Sequence, residues 1–406
     1  MFTSVFEKNE EREVPIYAET ENLILSEEQE KAVIACEKFL NSSDKYFVVS
    51  GCAGTGKSAI IPFIREKVKG ECLVAAYTGK AVVVLKRKGV KDAQTLHSLL
   101  YIVTKKEDAN GKIYYEFIPK NDYEFYDTKC VIVDEASMVD KEMFELLVSH
   151  KFKIIFIGDH FQLPPIKDNF NIMSKPNIIL TKILRQNEDN PIVKLANMAR
   201  NGQRIPFGQY DNSFKKKLFK LKPDNYLEYN EIITWTNRMR ININNSIRKI
   251  KGYDSFLPQI DEKVIVKSTS RKYGIYNGQM MYVTDSQPYS MKEKICKLSI
   301  IDELAMDDII AAATYSEINH LFSIAWEKEK IEEYRFKKFE KGKKKIPLIH
   351  LDYGYAITCH SAQGSSWRNV CVIEENGLKK MDYYNRWLYT AITRAEESVT
   401  IFSDGE

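Results

Sequence analysis

The chain has 406 residues, 44% of them hydrophobic, and a formal net charge of +4, values that predict a globular protein with two or three domains. Because the net charge is small, a polyanion would have to bind a local surface. No run of about 18 apolar residues and no apolar signal core occurs, so neither a membrane span nor secretion is expected. The seven cysteines contain no CxxC pair, which argues against a zinc site or a disulfide framework and favours reduced thiols in the cytosol.

The first predicted element is a helix from Ser26 to about Leu40, preceded by residues 1–24, which we expect to form a loosely ordered extension. Gln29 lies three residues after Ser26, which is the spacing of a capping box. It also lies just ahead of a glycine-rich loop, where a side-chain amide could contact an adenine base. The spacing alone does not decide between these two roles.

That glycine-rich loop follows the apolar run Tyr46–Val49 and matches a phosphate-binding loop over its whole length. Its glycines let backbone N–H groups point inward, Lys57 supplies a positive charge for the β- and γ-phosphates, and Ser58 suits a Mg²⁺ ligand. The sequence therefore predicts binding of a nucleoside triphosphate. The candidate nucleotide-binding residues are Gly51, Cys52, Ala53, Gly54, Thr55, Gly56, Lys57 and Ser58.

Two later strands predict the residues for hydrolysis. Cys130–Val133 reads as a strand that ends in Asp134, which can hold Mg²⁺, and Glu135, which can polarise the attacking water. Lys153–Ile157 predicts another strand, and Gln162 follows it where an amide could sense the γ-phosphate. With helices between them, these strands predict a parallel α/β sheet. Its strands are placed at 46–50, 72–76, 130–133, 154–157 and 178–181.

A hairpin interrupts the α/β pattern. Leu100–Val103 and Lys112–Ile118 predict two strands around an Asn-Gly turn. Such a hairpin has no place inside a βαβ crossover, so it should project from the domain. Its second strand carries the aromatic residues Tyr114, Tyr115 and Phe117. They could wedge against a nucleic-acid fork or pack on the parent domain, and the sequence leaves both open.

A second α/β region begins near Arg185. Glu231–Trp235 predicts a strand that leads into Thr236 and Asn237, which either cap the next helix or contact DNA. Residues 214–222 are rich in lysine and predict a solvated amphipathic face. From 256 to 348 short β segments predict an inserted small β-barrel with helical elaboration, after which the α/β pattern resumes.

These blocks, in this order, resemble the motifs of the superfamily 1 DNA helicases, in particular the RecD/Dda group (superfamily 1B), over residues 23–402. By this resemblance Gln29 is the adenine-sensing glutamine, and Gly364 in Thr-Cys-His-Ser-Ala-Gln-Gly belongs to the nucleotide site. Arg185 in Leu-Arg-Gln and Arg394 in Ala-Ile-Thr-Arg-Ala are then arginines that reach the γ-phosphate. The catalytic set becomes Lys57, Asp134, Glu135, Gln162, Arg185 and Arg394.

The resemblance also implies contacts to single-stranded DNA. The chain departs from the group's pattern at Ser361, where relatives usually have lysine, and at Tyr77, where they usually have proline. Tyr77 could therefore alter the loop or add a stacking ring. With the hairpin aromatics, the candidate DNA contacts are Thr78, Lys80, Thr95, His97, Tyr114, Tyr115, Phe117, Thr236, Asn237, Thr358 and His360.

The fold implied by the resemblance is α/β, with two RecA-like P-loop NTPase domains. A β-hairpin pin is inserted in the first domain and a small SH3-like β-rich module in the second. The expected boundaries are 25–184 for the first domain, with its hairpin at about 100–120, and 185–255 with 349–406 for the second. The inserted module spans 256–348.

The implied function is an ATP-dependent DNA helicase that moves 5′-to-3′ on single-stranded DNA with ATP and Mg²⁺. Its expected partners are single-stranded DNA and DNA forks, with a single-strand-binding protein or replisome component as a further candidate. We expect a monomer in the cytoplasm of a bacterium or a phage-infected host. Two alternatives stay open: a translocase that displaces proteins or acts on RNA with little unwinding, and a nucleic-acid-independent P-loop NTPase or phosphotransferase.

Overall fold

The described part of the chain folds into two β-sheets flanked by helices, a closed barrel and two hairpins. The computed structural model describes residues 24–107, 113–165, 170–184, 190–267, 277–290, 295–302, 318–324, 339–341, 344–346 and 349–404. The extension predicted at 1–24 therefore lies outside the described residues except for its last position. Within these ranges, no helix has the length and apolar character needed to cross a membrane.

The first sheet is six-stranded and parallel throughout, as predicted. The helices of this region are α1 (Glu27–Leu40), α2 (Ile61–Glu66), α3 (Gly79–Arg87), α4 (Leu96–Leu100) and α5 (Lys141–Ser149). The strands of this region are β1 (Tyr46–Gly51), β2 (Glu71–Ala76), β3 (Gln94–Thr95), β4 (Tyr101–Glu107), β5 (Ile113–Pro119), β6 (Thr128–Asp134), β7 (Lys153–Gly158) and β8 (Ile178–Leu180). All except β4 and β5 belong to the six-stranded sheet. The five predicted strands are confirmed to within two residues at each end.

The order of this sheet is β3-β2-β6-β7-β1-β8, so β7 lies between β1 and β6. Both faces are covered, which explains why these strands are almost continuously apolar. In β6, for example, Ile132 packs in the core on one face while Val131 and Val133 pack in the core on the other. Because β1, β7 and β6 are parallel neighbours, the segments that follow them open at one edge of the sheet.

Strands β4 and β5 form the antiparallel hairpin that the sequence predicts, with register from Tyr101 opposite Pro119 to Glu107 opposite Ile113. They pair only with each other among the described strands. Phe117 on β5 is 55% exposed, whereas the side chains of Tyr114 and Tyr115 lie outside the described residues. The structure thus places one of the three predicted aromatics in solvent.

The second sheet has the order β19-β11-β20-β21-β10-β9 and is parallel except for β9. The elements of this region outside the barrel are α6 (Pro191–Arg200), β9 (Gly208–Tyr210), β10 (Ser213–Lys217), β11 (Glu231–Thr234), α7 (Asn237–Ile250), β19 (Ala356–Thr358), β20 (Trp367–Glu374), α8 (Tyr384–Ile392) and β21 (Ala395–Ser403). The solvated face predicted for 214–222 is wrong at its start. Phe214–Lys217 belongs to β10, and Lys215 is buried there because its Nζ lies 3.8 Å from the Glu374 carboxylate.

The segment inserted between α7 and β19 forms a closed barrel in the order β12-β13-β14-β15-β18. Asn277 and Gly278 form a turn just before β13. The strands of this segment are β12 (Lys263–Val266), β13 (Met280–Ser290), β14 (Ile295–Asp302), β15 (Ile318–Ile324), β16 (Phe339–Lys341), β17 (Lys344–Ile346) and β18 (Ile349–Tyr353). Strands β16 and β17 pair as a separate hairpin.

Helix α7 is joined to the barrel by buried polar contacts. Arg240 Nη1 lies 2.6 Å from Asp352 Oδ2 on β18, and Arg248 Nε lies 2.6 Å from Glu262 Oε1 just before β12. Between them, the Asn244 amide donates to the carbonyl oxygen of Tyr353 at 3.0 Å. Since buried charges are costly unless paired, these contacts hold the barrel against the second sheet.

We predict that Asp352→Ala lowers the free energy of unfolding by about 3–5 kcal/mol, because it leaves the buried Arg240 guanidinium without its carboxylate. Urea denaturation followed by circular dichroism measures the loss. The matched control is Asp92→Ala, which breaks the surface pair with Arg65, whose side chains are 48% and 37% exposed; it should cost no more than about 1 kcal/mol. Equal losses in the two variants would contradict the role given to the buried pair.

Candidate nucleotide site and nucleic-acid interface

The phosphate-binding loop connects β1 to a short helical turn that begins at Lys57. Gly56 has φ of +74°, and a Cβ there would lie 2.5 Å from Gln29 Nε2, so the left-handed turn requires glycine. Lys57 Nζ donates to the carbonyl oxygen of Cys52 at 2.8 Å. The ammonium group therefore lies against the loop that would surround the phosphates.

Gln29 takes part in the capping box of α1 and also contacts this loop. Its Oε1 accepts from the backbone N–H of Ser26 at 2.9 Å, and the capping box predicted from the spacing is confirmed. Its Nε2 donates to the carbonyl oxygens of Thr55 and Gly56, each at 3.3 Å. The amide is thus fixed beside the candidate nucleotide site, which the adenine-contacting role would need.

Asp134 and Glu135 follow β6 at the same edge of the sheet. Asp134 is 4% exposed and accepts from the backbone N–H of Glu135 at 3.0 Å. Glu135 has φ of +52°, a strained conformation for a residue with a side chain. Burial, and then the charge of Asp134, raise the pKa of Glu135, while the cations of Arg394 and Lys57 oppose this shift. Glu135 is therefore held in a fixed backbone conformation next to the buried carboxylate of Asp134.

The segment after β7 bridges the two regions. Gln162 is 3% exposed, and its Oε1 has no hydrogen-bond partner within the described residues. The next residue is held from the second region: the Leu163 N–H donates to Thr390 Oγ1 at 3.0 Å, and Gln363 Nε2 donates to the Leu163 carbonyl oxygen at 3.1 Å. A movement of the second region would therefore be transmitted to the segment that carries Gln162.

Arg394, the predicted arginine of the second region, is 5% exposed and is fixed by its own region. Its guanidinium donates to the carbonyl oxygens of Thr390 and Ser365, both at 3.0 Å, and to Thr393 Oγ1 at 3.1 Å. The other predicted arginine, Arg185, lies outside the described residues.

Gly364 lies at the contact with α3. It has φ of +74°, and a Cβ there would lie 2.8 Å from Thr78 Oγ1 and 3.6 Å from Ala81 Cβ. The surroundings of this glycine are therefore the first turn of α3, a candidate DNA-contacting element. The residue allows the two regions to approach each other at this point.

Two residues of this junction were missed by the sequence reasoning. The Tyr389 hydroxyl on α8 donates to Asp159 Oδ2 at 2.7 Å and accepts from the Ala53 N–H at 3.1 Å. Arg200 at the end of α6 donates from Nη1 to Cys52 Sγ at 2.7 Å. Tyr389 lies two residues before the Ala-Ile-Thr-Arg-Ala block of Arg394, and this proximity is a signal that could have pointed to it. Arg200 is the last residue of the amphipathic helix α6, and no motif in the sequence marks it as functional.

A pocket opens between the phosphate-binding loop and the helices of the second region. It is lined by backbone and small side chains of the loop and by apolar residues of α6 and α8. The lining residues include Cys52, Ala53, Gly54, Ile192, Asn197 and Tyr389. The loop and both helices thus share one concave surface.

Three of the predicted DNA-contacting threonines cap helices that begin at an edge of a sheet. The side-chain oxygens of Thr78, Thr95 and Thr236 accept from backbone N–H groups at the starts of α3, α4 and α7, each at 3.2 Å. The helix-cap role of Thr236 is therefore confirmed, and the neighbouring Asn237 accepts from Arg240 Nε at 2.8 Å. Helix N-termini attract anions, so this role is compatible with nearby phosphates.

The remaining predicted DNA contacts differ in accessibility. His97 is exposed, whereas Lys80 is 7% exposed, and its Nζ lies 4.5 Å from the ring centroid of Trp367. Thr358 Oγ1 lies 3.1 Å from Ser361 Oγ, and burial lowers the pKa of the half-buried His360. The ammonium of Lys80 thus faces an indole of the second region instead of open solvent.

A row of rings extends from the first sheet onto the hairpin. Ring centroids are separated by 5.8 Å between Tyr77 and His97, by 6.2 Å between His97 and Tyr101, and by 6.1 Å between Tyr101 and Phe117. Tyr77, which departs from the helicase pattern, is the first ring of this row. Aromatic side chains are the groups on which bases stack, and the row brings four such rings together.

Two family models match the chain. One described as an AAA domain matches residues 24–213, and one described as a UvrD-like helicase C-terminal domain matches residues 353–402. The first match includes the phosphate-binding loop, Asp134, Glu135 and the segment after β7. The second match includes Gly364 and Arg394.

Relatives and solved structures agree with these models. The chain is 30% identical over 198 residues to the ATP-dependent DNA helicase Dda of Enterobacteria phage T4, covering 44% of this chain and 43% of Dda. It is 26% identical over 452 residues to the RecBCD enzyme subunit RecD of Buchnera aphidicola, covering 88% and 70%. The Pif1 helicase structure from Bacteroides in complex with ADP-AlF3 and ssDNA has a TM-score of 0.58 at 18% identity, covering 95% and 94%.

These matches confirm the resemblance to the superfamily 1 DNA helicases of the RecD/Dda type, and the structural likeness shows a Pif1-like helicase fold built on the parallel sheet of a RecA-like domain. The chain spans 39% and 43% of the length of the first two curated relatives that it matches, an uncharacterised protein of Methanocaldococcus jannaschii and Dda.

We predict that Tyr389→Phe lowers the rate of ATP hydrolysis at least about tenfold, because it removes a charge-assisted hydrogen bond to Asp159 and the acceptor for the Ala53 N–H. A coupled assay of ADP release measures the rate. The matched control is Tyr384→Phe on the same helix, whose hydroxyl donates to Glu374 Oε1 at 2.7 Å within the second region. Both variants should lose similar stability, and a similar loss of rate in both would refute a special role for Tyr389.

Proposed function

We propose that this chain is an ATP-dependent DNA helicase that moves on single-stranded DNA and couples ATP hydrolysis in a cleft between two regions to strand separation. The observation that carries the proposal is the junction at which the Tyr389 hydroxyl of the second region bonds to Asp159 and to Ala53 of the phosphate-binding loop that carries Lys57. The names of Dda and of the Pif1 structures support the DNA substrate, and likeness to this group supports 5′-to-3′ movement. Single-stranded DNA and DNA forks are the proposed partners.

The hydrolytic step follows from the proposed roles of the residues at the cleft. A water oxygen attacks the γ-phosphorus of ATP, and the bond to the oxygen that bridges to the β-phosphate breaks with its electron pair left on ADP. Glu135 accepts the proton of the water. Lys57 and Arg394 stabilise the charge on the transferred phosphoryl group, and Gln162 senses the γ-phosphate.

Ser58 and Asp134 would hold Mg²⁺. The fit rests on a hydroxyl and a buried carboxylate, which are the oxygen donors that Mg²⁺ prefers. Over the residues with described positions, no group of three or more His, Cys, Asp or Glu is gathered as a metal site, so phosphate oxygens and water would complete the shell. When bound, the ion would neutralise charge on the β- and γ-phosphates.

A nucleotide site divided between two regions would make closure depend on the bound nucleotide. ATP would bind both faces best when the cleft is closed, and hydrolysis would remove that preference. The contacts of Leu163 and Asp159 with the second region would then carry the change across the cleft. Alternating closure would advance a strand held at both sheets.

We further propose that the hairpin of β4 and β5 is the strand-separating pin and that the inserted barrel is an SH3-like module. The exposed Phe117 and the row of rings behind it support the pin. Base–aromatic stacking contributes about 1–3 kcal/mol per base, which is comparable with the mean of about 1.4 kcal/mol for a duplex step. The proposed domains are 25–184, then 185–255 with 354–406, and the insertion, whose expected end at 348 moves to Tyr353 because β18 (Ile349–Tyr353) closes the barrel.

The first test is steady-state ATP hydrolysis without nucleic acid and with single-stranded DNA, single-stranded RNA or blunt duplex. We expect strong stimulation by single-stranded DNA and no hydrolysis by Lys57→Ala, because that variant lacks the cation for the phosphates. Stimulation by RNA alone would favour an RNA-directed translocase. A rate indifferent to every nucleic acid would exclude the helicase and favour a phosphotransferase or other P-loop NTPase.

The pin is tested by Tyr114→Ala combined with Tyr115→Ala. We expect this variant to keep DNA-stimulated ATP hydrolysis and to lose forked-duplex unwinding, because translocation needs no wedge while separation does. Tyr123→Ala combined with Tyr126→Ala is the matched control, since those rings are 87% and 80% exposed just beyond the hairpin. Equal loss of both activities in the hairpin variant would count against the pin.

A further inference from the structure

We infer that Arg200 is a further arginine that the second region directs at the terminal phosphate of ATP, in addition to the two arginines that the sequence predicts for this role. The inference rests on the proposed function and names a further binding and catalytic residue for it. Arg200 lies in neither of the sequence blocks that supplied the other two arginines.

The position of Arg200 is fixed by the packing of α6. Ile192, Leu195 and Ala199 of this helix are buried in one core with Trp387 and Leu388 of α8. Because α8 also carries Tyr389, which contacts the phosphate-binding loop, α6 and α8 approach that loop together. The C-terminal end of α6 therefore delivers the Arg200 side chain to the cleft.

The guanidinium group lies between two segments of the candidate nucleotide site. Nη1 is 2.7 Å from Cys52 Sγ in the phosphate-binding loop, and the central guanidinium carbon is 5.0 Å from the ring centroid of Phe161, in the segment after β7. Lys57 Nζ donates to the backbone of the same Cys52. Arg200 and Lys57 thus contact one residue of the loop from opposite regions.

The present partners of Arg200 do not balance its charge. Nε is buried without a hydrogen-bond partner, and within the described parts of the chain no carboxylate lies in ion-pair distance of the guanidinium. Burial raises the pKa of the Cys52 thiol, so the acceptor of Nη1 is a neutral thiol, which is a weak acceptor. A half-buried cation with such partners favours an anion nearby.

The other buried arginines show what a satisfied guanidinium looks like in this chain. Arg240 and Arg248 each pair with a carboxylate at 2.6 Å, and Arg394 donates to three oxygens of its own region. Of these four arginines, Arg200 is the one that contacts the phosphate-binding loop and whose buried Nε has no hydrogen-bond partner within the described residues. Phosphate oxygens would accept from the planar fork of donors, and such charge-assisted pairs are stronger than a bond to a thiol.

The experiment compares Arg200→Ala and Arg200→Lys with the wild-type chain and with Arg368→Ala, a control whose side chain is 76% exposed. Calorimetry measures the binding of ADP and of ATPγS, and steady-state assays with single-stranded DNA give kcat and KM. For Arg200→Ala we expect ADP affinity within about twofold of wild type, ATPγS affinity lowered at least about tenfold, and kcat lowered on the order of 10²–10³-fold. Lysine should restore only part of kcat, because it lacks the planar fork.

Two results would overturn the inference while the wild type remains an active ATPase. One is unchanged ATPγS affinity and kcat in Arg200→Ala. The other is an equal loss of ADP and ATPγS affinity together with a lower melting temperature, which would make Arg200 a structural residue. If the wild-type chain bound neither nucleotide, the proposed function itself would fail, and the inference would fail with it.

Discussion

The Tyr389 hydroxyl joins the two regions of this protein, because it bonds at once to the Asp159 carboxylate and to the Ala53 amide. The side chain is 1% exposed, and burial raises the pKa of its phenol well above the ordinary value, so the proton that it donates to Asp159 is retained. The hydrogen bonds of Leu163 with Thr390 and Gln363 and the contact of Arg200 with Cys52 also join the two regions. The positions of the charged groups between the regions therefore depend on the contacts of Tyr389 at this junction.

The strand order of the first sheet decides which residues meet at that junction. Because β7 separates β1 from β6, the segment after β7 lies between the phosphate-binding loop and the two acids. Gly158 ends β7, and a Cβ there would lie 3.1 Å from the Ser137 amide nitrogen. A glycine at this position lets the loops after β6 and β7 approach closely, and the side chains that follow them share one small volume.

Much of the first sheet could be predicted from the sequence, because most of its strands are local apolar runs, and β1, β6 and β7 end in glycine or aspartate. The phosphate-binding loop, the hairpin and the capping box of Gln29 were predictable for the same reason. The strand order was not, since it depends on pairings between distant segments. Lys215 was misjudged because its carboxylate partner, Glu374, belongs to the neighbouring part of the sheet only after folding.

The residues of the candidate site show the same distinction between local patterns, which the sequence predicts, and contacts between distant segments, which it does not. Lys57, Asp134 and Glu135 stand in short motifs whose chemistry is legible in the chain. Tyr389 and Arg200 acquire their roles from partners 230 and 148 residues away, and each taken singly would be an ordinary core or surface residue. Lys80 is the opposite case: it belongs to a motif predicted to contact DNA, but its ammonium group packs against the Trp367 ring of the second region.

The buried pairs between α7 and the barrel have a mechanical consequence. A module on a flexible tether would absorb a small rotation of the second sheet, whereas one clamped through Arg240 and Arg248 must turn with it. If the second sheet rotates about the cleft as proposed, the barrel would act as a lever arm, because the displacement of a rigidly attached module grows with its distance from the pivot. The insertion would thereby extend the reach of that rotation beyond the sheet from which it emerges.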